Sequence, residues 1–293
     1  MLDDKRWAGL VETRVKNPGL VQRAAEKRTQ PGALVGEDGR LMLVAADHPA
    51  RGALRAGEDP MAMGHRRRLV ERLCVALSRP GVDGVLGTAD ILEDLLLLGA
   101  LEEKVVIASM NRGGLAGTAF EIDDRFTACT AEAVQRMGWQ GGKMLLRIDP
   151  EDPATAATLE ASARAVDDLA ARRMVAMVEP FISHRLDGRV RNDLSTDAVV
   201  RSCTVAAGLG GTSAYTWLKL PVVEEMERVL SATSLPVVLL GGEVSTDQAA
   251  TFETWRRALA HPTARGLVVG RSLLFPPHGD VWQAVDSAVG LMR

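Results

Sequence analysis

The stretch TWLKLPVV (residues 216–223) is short and almost wholly apolar, yet it carries one lysine, Lys219, near its end. Such a stretch is typical of a buried strand, and a charge placed there is costly unless it is paired or neutral. Only six of the 35 basic residues are lysines, but two of them, Lys143 and Lys219, stand inside apolar runs. Lysine, unlike arginine, can lose its proton and act as a nucleophile, so both lysines are candidates for a chemical role.

Seven further runs of the same kind occur along the chain, with helix-like stretches between them. The eight runs are RLMLVAAD (40–47), VDGVLGT (82–88), KVVIASM (104–110), GGKMLLRID (141–149), RMVAMVEP (173–180), YTWLKLP (215–221), LPVVLLGG (235–242) and RGLVVGR (265–271). Short runs rich in Val, Leu and Ile are typical of parallel strands covered on both faces. Eight strands that alternate with helices predict an α/β fold, a (β/α)8 TIM barrel formed by residues 1–293 as one domain.

The stretches between the runs carry helix signals. Residues 59–81 place leucines on one stripe and end at a proline, and an Asp-Pro pair at 152–153 is a fair helix start. A Ser-Thr-Asp cap at 245–247 begins another helix, and the chain ends in a further one. A helical extension, roughly residues 2–28, is expected to cap the bottom of the barrel or to meet another subunit, and we expect a homo-oligomer.

An open doubly wound sheet is the alternative fold. That fold usually has a glycine-rich loop after its first strand, whereas the first run here ends in AADHPARG, which contains no G-x-G-x-x-G. The barrel is therefore the favoured reading.

The composition excludes several classes of protein. The chain is 46% hydrophobic and 25% charged with a net charge of −3, so general binding to nucleic acid or to a membrane surface has no electrostatic support. The N-terminal residues lack the apolar core and cleavage site of a signal peptide. The three cysteines, Cys74, Cys129 and Cys203, form no CxxC pair, so we expect free thiols in a reducing cytoplasm and neither a disulfide nor a zinc site.

Charged residues collect where the predicted strands end, which is where TIM barrels place their chemistry. Asp47, Lys143, Glu179 and Lys219 each stand at or near such an end. Each alone could be structural: the aspartate could cap a turn, and either lysine or the glutamate could form an ordinary ion pair. Together, two lysines and two acids are the parts of a Schiff-base enzyme that acts on a carbonyl substrate, because a buried lysine beside another cation is partly neutral.

The last two runs end in glycine-bearing turns. Gly241 and Gly242 follow the seventh run, and Gly270 and Arg271 follow the eighth. Glycine lets backbone N–H groups approach a phosphate closely, and arginine adds a charged fork. Many TIM barrels bind phosphate at these two loops, so we expect a phosphate site there, with two ordinary tight turns as the alternative.

Several of these motifs resemble a known family. GGKMLLRIDPEDP, VAMVEPF, TWLKLPV, VVLLGGEVS and GLVVGRSLLF together resemble the class I aldolases of the DeoC/LacD group, in particular tagatose-1,6-bisphosphate aldolase. The resemblance covers roughly residues 140–275 and is weaker before them. It implies that Lys219 is the Schiff-base lysine, Glu179 the acid/base, Lys143 the second lysine and Asp47 the first-strand aspartate. It also implies phosphate binding by the four residues of the glycine turns, and neither a cofactor nor a metal.

The third run departs from tagatose-1,6-bisphosphate aldolase. Its loop, SMNRGGLAG, is similar to that of an actinobacterial branch linked to inositol catabolism, and it makes Asn111 and Arg112 further candidates for substrate binding. That resemblance implies an aldolase for 2-deoxy-5-keto-gluconate 6-phosphate, which would give dihydroxyacetone phosphate and malonate semialdehyde. An aldolase for another ketose phosphate stays open.

Two functions of other classes stay open as well. A non-catalytic aldolase homologue that senses a sugar phosphate would need the phosphate-binding turns but not two lysines. A zinc aldolase would need clustered histidines, whereas the five histidines fall on scattered segments.

Overall fold

The computed structural model describes residues 2–112, 114–242, 244–245, 247–278 and 280–292. Nine strands occur in these residues: β1 (Leu41–Ala45), β2 (Gly84–Gly87), β3 (Val105–Ser109), β4 (Gly141–Ile148), β5 (Val175–Leu186), β6 (Arg189–Asn192), β7 (Thr216–Pro221), β8 (Val237–Leu240) and β9 (Ala264–Val269). All but β6 pair in parallel in the order β4-β3-β2-β1-β9-β8-β7-β5, and β4 pairs with β5 to close the ring. The predicted TIM barrel is confirmed, and the open sheet is wrong because no strand of the ring is left as an edge.

Helices cover the outside of the ring. They are α1 (Asp4–Lys16), α2 (Leu20–Lys27), α3 (Arg66–Leu77), α4 (Ala89–Leu97), α5 (Ala131–Arg136), α6 (Ala154–Ala170), α7 (Thr196–Ala207), α8 (Met226–Leu230), α9 (Gln248–Leu259), α10 (Arg271–Leu274) and α11 (Val281–Gly290), with a 3₁₀ turn at His48–Arg51. In α3 the leucine stripe of Leu69, Leu73 and Leu77 is buried against the barrel. None of the helices in the described part of the chain is long and apolar enough to cross a membrane.

The lower end of the barrel is closed by apolar side chains. Leu41, Val105 and Val175, at the starts of their strands, belong to one buried cluster inside the ring, and Leu34 and Val35 pack against it. Beside it, Arg28 at the end of α2 donates hydrogen bonds to the carbonyls of Leu101, Lys104 and Gly138, which precede β3 and β4. Side chains therefore fill this end of the barrel, and the polar side chains at the opposite, C-terminal ends of the strands are the candidates for a site.

A hairpin that the sequence analysis did not predict rises from β5. The strand runs on from Pro180, where the apolar run ends, to Leu186, and β6 pairs with it in antiparallel register. Asp187 and Gly188, with φ of 49° and 72°, make the turn between them. An Asp-Gly pair with positive φ at both residues is a strong hairpin signal, so the sequence did carry this information.

Candidate active site

A cavity of about 810 Å³ opens at the C-terminal mouth of the barrel. Its wall contains Lys219 of β7 and Glu179 of β5, together with both glycine turns and Arg271. Residues 190–192 and Leu194 of the unpredicted hairpin and its exit also contribute to the wall. The volume is in the range of small-molecule binding sites.

Five of the predicted site residues form one continuous series of ion pairs at this cavity. The carboxylate of Glu179 joins the two lysines, since Oε1 accepts a 2.5 Å hydrogen bond from Lys219 Nζ and Oε2 contacts Lys143 Nζ. Lys143 Nζ also lies 3.2 Å from Asp47 Oδ2, and Arg112 Nη2 lies 2.8 Å from the same oxygen. Both ammonium groups contact a single carboxylate, so they lie well inside the roughly 10 Å beyond which charges are screened.

Burial and the alternating positive and negative charges set the protonation states of these ion-paired residues. Burial lowers the pKa of Lys143 to about 8, although Asp47 and Glu179 act in the opposite direction. Burial alone would raise the pKa of Glu179, but the ammonium groups of Lys143 and Lys219 hold it at about 2. Burial likewise opposes the charge of Asp47, yet Arg112 and Lys143 keep its pKa well below the ordinary value. At pH 7 both acids are ionised, and Lys143 is close to losing its proton.

The two lysines differ in their access to the cavity. Lys219 lines the cavity wall and is 2% exposed, whereas Lys143 is absent from the wall and has no exposed surface. The register explains the difference, because Lys143 pairs with Met177 on β5, two residues before Glu179. Lys143 therefore lies deeper in the barrel, and only Lys219 can meet a ligand directly.

The two glycine turns lie together on the other side of the cavity. A Cβ at Gly241 would come within 2.5 Å of Val269, and one at Gly270 within 2.3 Å of the Ala45 carbonyl oxygen. Gly242 has φ of +65°, and its carbonyl lies 3.4 Å from Nη2 of Arg271. The turns thus require glycine for close packing and for backbone conformation, and they place an arginine at the mouth.

The loop after β3 divides the roles of its two candidates. Asn111 has no exposed surface, and its amide donates to the carbonyls of Asp124 and Leu145 and accepts from the Leu145 N–H. Because both ends of the amide are bound to the backbone, Asn111 fastens the loop to β4 and has no free amide atom to offer a substrate, contrary to the prediction. Arg112 does line the cavity, but its guanidinium is bound to Asp47 through the carboxylate and the backbone carbonyl.

Further cavity residues were not among the sequence-based candidates. His48 lines the wall with Nδ1 3.7 Å from Asp47 Oδ1, and burial lowers its pKa well below the ordinary value, so it is neutral at pH 7. Arg147 binds Asp124 with Nε at 2.8 Å and lies 3.5 Å from Glu121. Arg51 also belongs to the wall. Their positions at strand ends were a usable signal for His48 and Arg147, but no motif marked Arg51 or the acids of the long loop.

The charge on Glu179 predicts a specific dependence of stability on pH. Its folded-state pKa of about 2 lies below the ordinary 4.5, so its contribution is present above pH 4.5 and is lost as the pH falls through about 2. We expect Glu179→Gln to lower the free energy of unfolding at pH 7 by about 3–5 kcal/mol, and this deficit to shrink at pH 3. Urea unfolding at both pH values measures it, and an equal deficit at pH 7 and pH 3 would contradict the assignment.

Comparison with known proteins identifies the family of this chain. A model of the Cgl0159-like family matches residues 39–289. The crystal structure of Cgl0159 from Corynebacterium glutamicum is 52% identical, with a TM-score of 0.96 over 99% of this chain and 97% of that one. No curated protein sequence matches the chain.

More distant structures share the fold. An archaeal fructose-1,6-bisphosphate aldolase, with its catalytic Lys covalently bound to the carbinolamine intermediate of the substrate, is 18% identical, with a TM-score of 0.65 over 93% of this chain and 99% of that one. The fructose-bisphosphate aldolase of Slackia heliotrinireducens is 17% identical, with a TM-score of 0.62 over 97% of this chain and 86% of that one. At these identities the likeness concerns the barrel architecture.

Proposed function

The chain belongs to the Cgl0159-like family, and from that premise and the geometry of the site we propose that it is a metal-independent class I aldolase, a carbon–carbon lyase. The observation that carries the proposal is the contact of Lys219 with Glu179 at the wall of a cavity whose other side bears two glycine turns and an arginine. A fold shared with Schiff-base aldolases adds support.

In the proposed reaction, the neutral amine of Lys219 attacks the ketone carbon of the substrate and gives a carbinolamine. Loss of water converts the carbinolamine into an iminium ion. Glu179 removes the proton from the hydroxyl group two carbons from the iminium carbon, and the carbon–carbon bond breaks so that its electron pair forms an enamine. The aldehyde product leaves, the enamine carbon takes up a proton, and hydrolysis releases the ketone product and free Lys219.

The groups behind Glu179 support this step. Lys143 contacts both Glu179 and Asp47. Its pKa of about 8 lets it take up or release a proton near neutral pH. Its ammonium group holds Glu179 ionised, so Glu179 can act as a base once Lys219 has become an imine. Arg112 anchors Asp47 from the other side and thereby fixes the position of Lys143.

The substrate that we favour is 2-deoxy-5-keto-gluconate 6-phosphate, which would be cleaved to dihydroxyacetone phosphate and malonate semialdehyde. Two observations support this substrate. The glycine turns are of a kind that binds phosphate, and the Asn-Arg-Gly-Gly loop resembles that of a branch linked to inositol catabolism. Tagatose 1,6-bisphosphate is the alternative, because the late motifs resemble its aldolase. We further propose that the enzyme acts in the cytoplasm, and its three free cysteines fit a reducing compartment. We also propose that it is a homo-oligomer.

The experiment that tests this function is reductive trapping. The protein is incubated with dihydroxyacetone phosphate and sodium borohydride, and its intact mass is measured; a covalent adduct is expected. A parallel screen of ketose and keto-acid phosphates for release of dihydroxyacetone phosphate identifies the substrate. Binding of sugar phosphates with neither an adduct nor any turnover would instead indicate a sensor.

Arg271 offers a test of the phosphate site. Its contact with a phosphate would be much the same in the ground state and the transition state, so Arg271→Ala should raise KM by about 10- to 100-fold and change kcat little. Steady-state kinetics on the substrate found by the screen measures both constants. A large fall in kcat at unchanged KM would speak against this role.

A further inference from the structure

The cavity wall holds one largely buried cation that has no hydrogen-bonding partner in the described part of the chain. The side chain of Arg51 is 22% exposed, and its buried Nη1 has no hydrogen-bonding partner there, although it lies 3.8 Å from Oε1 of Glu121. Arg112 and Arg147, the neighbouring arginines, are in contrast bound to Asp47 and Asp124. A buried donor gains free energy from an acceptor, so a ligand group that reaches Arg51 with an oxygen would bind there favourably.

The electrostatic surroundings of Arg51 point the same way. Burial lowers its pKa to about 10, and the charges of Arg147 and Arg112 act in the same direction. Glu121 and Asp124 offset these effects only in part. An additional anion next to Arg51 would satisfy its donors and relieve the repulsion between the three arginines.

The part of the cavity wall around Arg51 lies opposite the glycine turns. Glu121 is 3.8 Å from Arg51 and 3.5 Å from Arg147, so the Arg51 head group sits near the end of β4. In the closed ring β4 is four places from β9, which Arg271 follows, and β7, which carries Lys219, is midway between them. A substrate held by its phosphate at the glycine turns and joined to Lys219 would therefore extend its far end toward Arg51.

The chemistry of the subsite favours a carboxylate over a second phosphate. One guanidinium fork matches two oxygens of a carboxylate or of a phosphate in bidentate geometry, so the preference between them depends on charge. A phosphate carries close to two negative charges, and it would stand beside the two carboxylates, Glu121 and Asp124, that already neutralise Arg147. A singly charged group meets less repulsion there.

We propose that Arg51 forms a second anion subsite that binds a carboxylate at the end of the substrate released as the aldehyde. This inference rests on the proposed aldolase function and narrows its substrate class to keto acids phosphorylated at the opposite end. Among the aldolase substrates considered above, it selects the keto-gluconate phosphate over a ketose bisphosphate.

The test is a binding experiment that needs no catalysis. Isothermal titration compares 6-phosphogluconate, which carries a carboxylate and a phosphate at opposite ends, with sorbitol 6-phosphate, which has the same chain without the carboxylate. We expect the unmodified protein to bind 6-phosphogluconate about 10- to 100-fold more tightly. Arg51→Gln should abolish this preference and leave the affinity for sorbitol 6-phosphate within about twofold. Arg164→Gln, which removes the same charge from the exposed face of α6, should change neither affinity.

Several results would overturn the proposal. Equal affinity of the unmodified protein for the two ligands would contradict a carboxylate subsite. So would an Arg51→Gln variant that loses the same affinity for both ligands. A preference for fructose 1,6-bisphosphate over 6-phosphogluconate that depends on Arg51 would make the subsite a phosphate site. Failure of the aldolase function is seen separately, as the absence of a borohydride adduct in a protein that still prefers 6-phosphogluconate.

Discussion

Replacing Lys219 with arginine is expected to lower kcat by roughly 10⁴-fold or more, the scale on which loss of a catalytic nucleophile acts. The neutral amine is the attacking species, and arginine cannot supply it because its pKa stays above about 12. Arginine keeps the positive charge next to Glu179 and much of the bulk, so the substitution tests nucleophilicity more than folding. Turnover, together with the borohydride adduct and peptide mapping of the modified residue, measures the effect.

The controls separate the two lysines. Lys27→Arg, on the exposed face of α2, should leave turnover and adduct unchanged. In the unmodified protein the adduct should map to Lys219, which lines the cavity, and not to Lys143. An adduct at Lys143 would reverse the two roles. Measurable turnover with no adduct on any lysine would rule out a Schiff-base mechanism.

Replacing Glu179 with glutamine is expected to lower kcat by about 10²- to 10⁴-fold, the usual contribution of a general base. The amide keeps the shape of the side chain but cannot accept the hydroxyl proton, so cleavage should stop after the imine has formed. Dihydroxyacetone phosphate should still give a borohydride adduct at Lys219 in this variant. Turnover and intact-protein mass therefore separate a lost base from a lost nucleophile.

The matched control is Glu160→Gln, which makes the same change in an exposed ion pair on α6 and should retain full activity. If Glu179→Gln retained activity within about tenfold, another group would have to be the base. His48, which lines the cavity and is neutral at pH 7, would be the first candidate. Loss of the adduct together with turnover would instead show that Glu179 is needed for imine formation.

The architecture was predictable because it depends on local patterns. Apolar runs and helix signals alternate along the chain, and each run overlaps one strand of the ring. Parallel strands bring their C-terminal ends to one mouth, so Asp47, Lys143, Glu179 and Lys219 could be grouped from their positions alone. The hairpin after Glu179 was not predicted although its Asp-Gly turn is a recognised signal, because the apolar run ends at Pro180 while β5 continues to Leu186.

Residue type and position did not predict hydrogen-bonding partners. Asn111 stands at a strand end like the others, yet its amide is used by the backbone of β4 and of the loop after β3. Arg51 follows β1 in the chain, but its head group lies beside Glu121, which belongs to the loop after β3. Such contacts depend on how a loop folds back over the barrel, which no short motif encodes.

The sequence by itself determined the barrel, the set of charged residues at its mouth and the glycine turns, because strand order and strand ends follow from hydrophobic pattern and chain direction. Only the tertiary structure decided that Glu179 bridges both lysines and that Lys219, rather than Lys143, faces the cavity. The physical reason is the stagger between strands: Lys143 pairs with Met177, two residues below Glu179, and is therefore enclosed. Depth within a barrel depends on this register between distant segments, and one strand's sequence does not contain it.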